Sequence, residues 1–223
     1  METPRGNGPE SDIKDPMRQI IDISQTLQPG IAVWPGDTPF HNFWVMRMDQ
    51  GDSCNVGSVT MSLHTGTHAD APLHFLPNGG APVDADLSPY LGPVIVVDVS
   101  GVDAIRPEHV RAIADREAKR VLFRTGSATH GRWNDDFAYF TPEAARLLID
   151  RGVILVGIDT PSIDKSDSKT LDSHKLFASA NVALLENLAL DDAAPGRYEL
   201  IALPLKLAGM DASPVRAILR TYD

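Results

Sequence analysis

The chain has 223 residues, 43% of them hydrophobic and 22% charged, with a formal net charge of −10. That length suits one sizeable core, and the acidic balance argues against nucleic acid as a partner. No apolar run reaches the roughly 18 residues of a membrane span and no signal-peptide pattern opens the chain, so a soluble protein with no membrane partner is expected.

Residues 1–16 are polar, rich in proline and glycine and without periodicity, which predicts a disordered leader and allows Met17 as the native start. Residues 17–223 show no repeat or low-complexity linker and read as one mixed α/β domain. Residues 20–24 predict a short strand, and residues 31–39 (IAVWPGDTP) a turn-rich loop carrying Trp34. Cys54 has no partner for an intrachain disulfide, which fits a reducing cytoplasm, and nothing nearby would activate its thiol. Val59, Met61 and Leu63 then alternate with Thr60, Ser62 and His64, predicting a half-buried strand that delivers His64 into a turn.

Two continuous apolar runs, 94–99 and 153–158, have the length and composition of strands buried on both faces. Between them, Val110, Ile113 and Ala114 predict a helix over 107–118. A second helix opens with Thr141 as cap and Pro142 in the first turn, runs to Arg151 and stops at Gly152. Asp159-Thr160-Pro161-Ser162 breaks the chain directly after a buried strand. Residues 182–185, 198–204 and 215–219 complete the predicted strands.

The chemistry concentrates in His64-Thr65-Gly66-Thr67-His68-Ala69-Asp70-Ala71-Pro72-Leu73-His74. Three of the seven histidines and one carboxylate fall in this stretch, a donor set suited to zinc or manganese and not to soft-metal or iron–sulfur sites. On a helix His64 and His68 would share a face, but Asp70 would point away. On a strand the four donors share parity, yet a fully extended run would spread them over roughly 30 Å. The segment must therefore fold back, with Gly66 as the hinge and Pro72 stiffening a second bend. Glu186 ends the apolar run Val182–Leu185 with no lysine or arginine within ten residues, so it needs a cation or donors from elsewhere. His174 is the other distant donor. His41, His109 and His130 have no ligand-like neighbours.

The run HTGTHADAPLHF, the upstream VWPGDTP and the His174…Glu186 pair together resemble the bacterial kynurenine formamidases (arylformamidases) of the metal-dependent cyclase superfamily. The resemblance extends from about Met17 to the C-terminus and includes the closing GMDASPVRAIL. It implies a compact α/β domain with a mixed, barrel-like sheet core and flanking helices, a homodimer, and two divalent ions, zinc in the first place and manganese as the alternative. It further implies that His64, His68 and Asp70 hold one ion, that Asp70 and Glu186 bridge to a second completed by His174, that His74 is the catalytic acid–base, and that Trp34 contacts substrate. The implied reaction is hydrolysis of N-formyl-L-kynurenine to L-kynurenine and formate in tryptophan degradation. Ions so held lower the pKa of water from 15.7 to about 7, and a histidine beside them can move the proton. Two alternatives stay open: a superfamily amidohydrolase acting on a cyclic amide such as isatin, and a non-catalytic metal-binding protein.

Overall fold

The computed structural model describes residues 19–127 and 132–222. The predicted leader, Met17 and His130 lie outside the described residues. In chain order the elements are β1 (Ile20–Asp22), β2 (His41–Met46), β3 (Val56–Thr60), β4 (His68–Asp70), β5 (Leu91–Asp98), β6 (Ala104–Ile105), α1 (Pro107–Ala112), β7 (Arg120–Arg124), β8 (Tyr139–Phe140), α2 (Pro142–Asp150), β9 (Leu155–Ile158), α3 (Asp172–Ser179), β10 (Ala183–Glu186), β11 (Gly196–Ile201), β12 (Ala212–Pro214) and β13 (Ile218–Thr221).

Nine strands form one mixed sheet in the order β1-β13-β11-β5-β7-β9-β10-β4-β12, which curls into a half-barrel. Its centre, β5-β7-β9-β10, is parallel, and both flanks are antiparallel. The apolar runs sit where continuous hydrophobicity is needed, because alternate residues enter two different cores. Ile95, Val121, Phe123, Val156, Ile158 and Leu184 face the helices, packing on Val110, Ala144, Leu148 and Phe177. Val94, Val96, Leu122, Leu155 and Leu185 face the opposite side, packing with Ile23, Leu188, Leu200 and Leu219. Gly157 is on that crowded side: a Cβ there would stand 2.5 Å from Leu122 Cδ2 and 2.7 Å from Leu188 Cδ1.

The capped helix is as the sequence predicts. Thr141 Oγ1 accepts the Ala144 N–H at 3.3 Å, and Gly152 takes the left-handed conformation (φ 70°) that ends the helix. Two expectations need correction. The helix over 107–118 ends at Ala112, because Ile113 turns extended and the Asp115 side chain captures the Glu117 N–H at 3.1 Å, a local bond that competes with helix. The strand over 59–63 ends at Thr60, and of its apolar positions Val59 is 60% exposed, while Met61 and Leu63 are half-buried but lie beyond the strand. That strand belongs instead to a two-stranded arm with β2, which the sequence reading did not find. Among the described residues no helix is long and apolar enough to cross a membrane.

Candidate metal centre

Gly66 makes the fold-back. It adopts φ 65°, the left-handed region that favours glycine, and a Cβ there would lie 2.8 Å from Leu27 Cδ2 and push that side chain aside. The turn returns His64 over β4, whose His68 and Asp70 point to one side with period 2. The 3₁₀ turn Pro72–His74 then brings His74 back to the same place. On the other side of β4, antiparallel register sets Glu186 opposite His68 and Leu184 opposite Asp70. Helix α3 supplies His174 from its first turn.

The structure thus brings together all six predicted metal and catalytic residues. Asp70 Oδ1 lies 3.2 Å from His64 Nδ1 and 3.3 Å from His68 Nε2, while Asp70 Oδ2 lies 3.4 Å from His174 Nε2. Glu186 Oε2 is 3.3 Å from His68 Nε2, and Oε1 is 3.1 Å from His174 Nε2. Two triads able to hold a metal share Asp70: His64, Asp70 and His74, and His68, Asp70 and Glu186. His68, Asp70, His174 and Glu186 are buried, and His64 is largely so.

Tautomers decide what such a cluster wants. His68 Nδ1 donates to the Gly66 carbonyl at 2.8 Å, His174 Nδ1 to Asp164 Oδ2 at 2.6 Å, and His64 Nε2 to Asp211 Oδ2 at 3.0 Å. Each ring's other nitrogen therefore points a lone pair at carboxylate oxygens and, between His64 and His68, at a neighbouring nitrogen 3.2 Å away. Both Asp70 oxygens are buried without a hydrogen-bond partner, since their short contacts lack bonding geometry. Buried lone pairs that converge this way require positive charge at their focus. Without a cation, protons must supply it: burial alone would lower the His68 pKa, but the adjacent Asp70 and Glu186 carboxylates outweigh it and push the value up to about 10. Burial likewise opposes Asp70 ionisation, yet His174, His64 and His68 hold its carboxyl well below the usual range. A divalent ion bound by nitrogen and oxygen donors meets the same requirement, and three imidazoles with two carboxylates fit zinc or manganese.

The centre opens into a cavity of about 620 Å³ lined by Trp34, Trp133, Leu63, His64, His74, His174 and Glu186 among others. Trp34 is half-buried and stands edge-on to Trp133 (centroids 4.8 Å apart) and Phe137 (6.3 Å). A second cavity of about 440 Å³, walled by residues such as Phe75, Pro82, Tyr90 and Leu184, carries no histidine. Sequence reasoning missed Asp164, Asp211 and Trp133. The first two have no spacing relation to the ligand motif, and Trp133 lies in a segment without periodicity.

The family model described as "Putative cyclase" matches residues 21–165. This chain belongs to the cyclase family. Among solved structures, a protein described as a potential metal-dependent hydrolase with cyclase activity is 29% identical, with a TM-score of 0.81 over 92% of this chain and 99% of its own. A predicted metal-dependent hydrolase from Bacillus stearothermophilus is 30% identical (TM-score 0.79, 91% of this chain and 98% of its own). Isatin hydrolase A from Labrenzia aggregata, bound to benzyl benzoate, is 26% identical (TM-score 0.79, 92% and 94%). The cyclase-family protein therefore has the metal-dependent hydrolase fold, and its histidine–carboxylate cluster lies on β4, β10 and α3 of that fold.

Proposed function

We propose that this protein is a metal-dependent hydrolase of aryl amides, with N-formyl-L-kynurenine as its substrate and L-kynurenine and formate as products. The observation that carries the reading is the buried Asp70, whose two unsatisfied oxygens face three oriented imidazoles, two of which, His64 and His174, line the cavity that Trp34 and Trp133 also line. His64, His68, Asp70, His174 and Glu186 would hold two divalent ions, zinc or manganese. Bound there, such ions supply Lewis acidity that activates water and polarises an amide carbonyl at neutral pH.

The rest falls to the chain itself. Hydrolysis puts the hydroxyl of water on the formyl carbon and a proton on the aryl nitrogen as the C–N bond breaks, because an arylamine leaves poorly as an anion. In this reading His74, one-third exposed at the cavity and with its ring centroid 4.3 Å from that of His64, would take the proton from water and return it to that nitrogen. Trp34 and Trp133 offer flat apolar surface to the substrate ring and exclude water from it. A homodimer belongs to the same reading: the β2–β3 arm carries Phe43, Trp44, Val45 and Val59, each more than half exposed, and a two-stranded ribbon is marginal unless covered.

One specific observation favours a second substrate, a cyclic aryl amide of the isatin kind: the likeness to isatin hydrolase A. The test is metal analysis of purified protein combined with turnover of N-formyl-L-kynurenine and isatin side by side. Faster turnover of formylkynurenine supports the first reading, faster isatin turnover the second. Metal content with neither activity would leave a metal-binding protein.

A further inference from the structure

We propose that Asp211 is a positioning residue that orients the ligand His64 and the acid–base His74 through a single carboxylate oxygen, a role that rests on the hydrolase reading above. Asp211 Oδ2 lies 3.0 Å from His64 Nε2 and 3.4 Å from His74 Nδ1. The two rings it serves have centroids 4.3 Å apart and are tilted by 43°, so neither can turn without meeting the other. One oxygen thus fixes both imidazoles.

The carboxylate is itself anchored. The Asp211 carbonyl accepts the Ala71 N–H at 2.9 Å, and the next residues form β12, whose Ala212 pairs with Asp70 and Pro214 with His68. Asp211 is therefore held in register with the strand that presents two of the proposed ligands. Because a carboxylate only accepts, each ring must turn an N–H toward it. His64 carries its proton on Nε2, which leaves the Nδ1 lone pair facing Asp70 Oδ1 at 3.2 Å. His74 carries its proton on Nδ1, which leaves Nε2 as the atom that accepts a proton from water. Free neutral histidine prefers the opposite tautomer, so at His74 the bond to Asp211 sets the working nitrogen.

The test uses the zinc-loaded full chain and the variants Asp211→Ala and Asp211→Asn, with three readouts: zinc affinity by chelator competition, imidazole ¹⁵N shifts, and kcat and KM for formylkynurenine and isatin. Losing a group that orients a metal ligand lowers affinity or activity by roughly 10- to 100-fold, so Asp211→Ala should weaken zinc binding and kcat by that factor, with KM changed by less than about 3-fold. The His74 signals should move from the Nδ1–H toward the Nε2–H tautomer. Asp211→Asn keeps an acceptor oxygen and should restore the tautomer while recovering only part of the zinc affinity, and it reports on the same contact if Asp211→Ala fails to fold. A folded variant with wild-type zinc affinity and an unchanged His74 tautomer would overturn the proposal. If wild-type protein hydrolyses neither substrate, the hydrolase reading falls, while zinc affinity and the ¹⁵N shifts still decide the role of Asp211.

Discussion

Stripping divalent ions from this protein should lower its thermal stability by an amount that the donor set makes large. Five buried or largely buried groups converge, each within 3.4 Å of at least one other, with lone pairs facing inward, an arrangement that only the folded chain presents. A ligand that binds only the native state stabilises it by RT ln(1 + [L]/Kd), about 4 kcal/mol when free zinc is a thousand times Kd. For a chain of this size each kcal/mol moves Tm by about 2–4 °C, so zinc at that excess should raise Tm by about 8–16 °C over chelator-treated protein. Calorimetry at matched protein concentration, with metal content measured on the same samples, reads the effect. Asp70→Asn removes the carboxylate common to both triads and should reduce the shift to a few degrees. If the wild type binds two ions as proposed, Glu186→Gln should retain about one. A wild-type Tm that is indifferent to zinc would refute the reasoning and mean that protons alone neutralise Asp70 and Glu186.

Replacing His74 with alanine should leave metal content intact and cut turnover by about 10²-fold or more, whereas His68→Ala should lose both together; an emptied site in His74→Ala would make His74 a ligand. Arg120→Met should destabilise the fold by about 2 kcal/mol in chemical denaturation, because the guanidinium bonds the carbonyls of Ser88, Pro89 and Pro93 at 2.6, 2.6 and 3.3 Å and all three would lose their donor. Ser100, with the Arg124 guanidinium beside it, holds the Asp98 carboxyl down at about 2. A depressed folded-state value stabilises above the unfolded pKa near 3.9 and is lost as pH falls toward 2, so Asp98→Asn should cost under about 1 kcal/mol at pH 7 and nothing near pH 2.

The strand–turn chemistry around Gly66 was legible because it is local: donor type, parity and a hinge glycine lie within eleven residues. The buried parallel strands were legible for the same reason, since continuous apolar runs leave few alternatives. The β2–β3 arm was not, because Phe43, Trp44 and Val45 form an unbroken apolar run that faces outward, and composition normally reads such a run as core. Strand β12 is short and contains Pro214, a poor strand former that survives at the sheet edge where β12 pairs only with β4. Asp164 and Asp211 could not be assigned from sequence. Asp164 bonds one imidazole, that of His174, and Asp211 reaches two, those of His64 and His74, and only the folded chain shows which acidic side chain faces which ring.

The place of the centre follows from the sheet's change of direction. β10 runs parallel to β9 on one side and antiparallel to β4 on the other, so its last residue, Glu186, meets the first residue of β4, His68. Chains of parallel strands open crevices beyond their carboxyl ends, and the loop after β9 fills this one. From that loop Ile163 N–H donates to Glu186 Oε1 at 2.7 Å, and Asp164 accepts from the His174 ring and from the backbone N–H groups of Ser173 and His174. The antiparallel turn to β4 is what allows a motif near residue 68 and a carboxylate at 186 to meet. A parallel β4 would send the chain away from the crevice after Asp70 and leave Glu186 buried without its histidines.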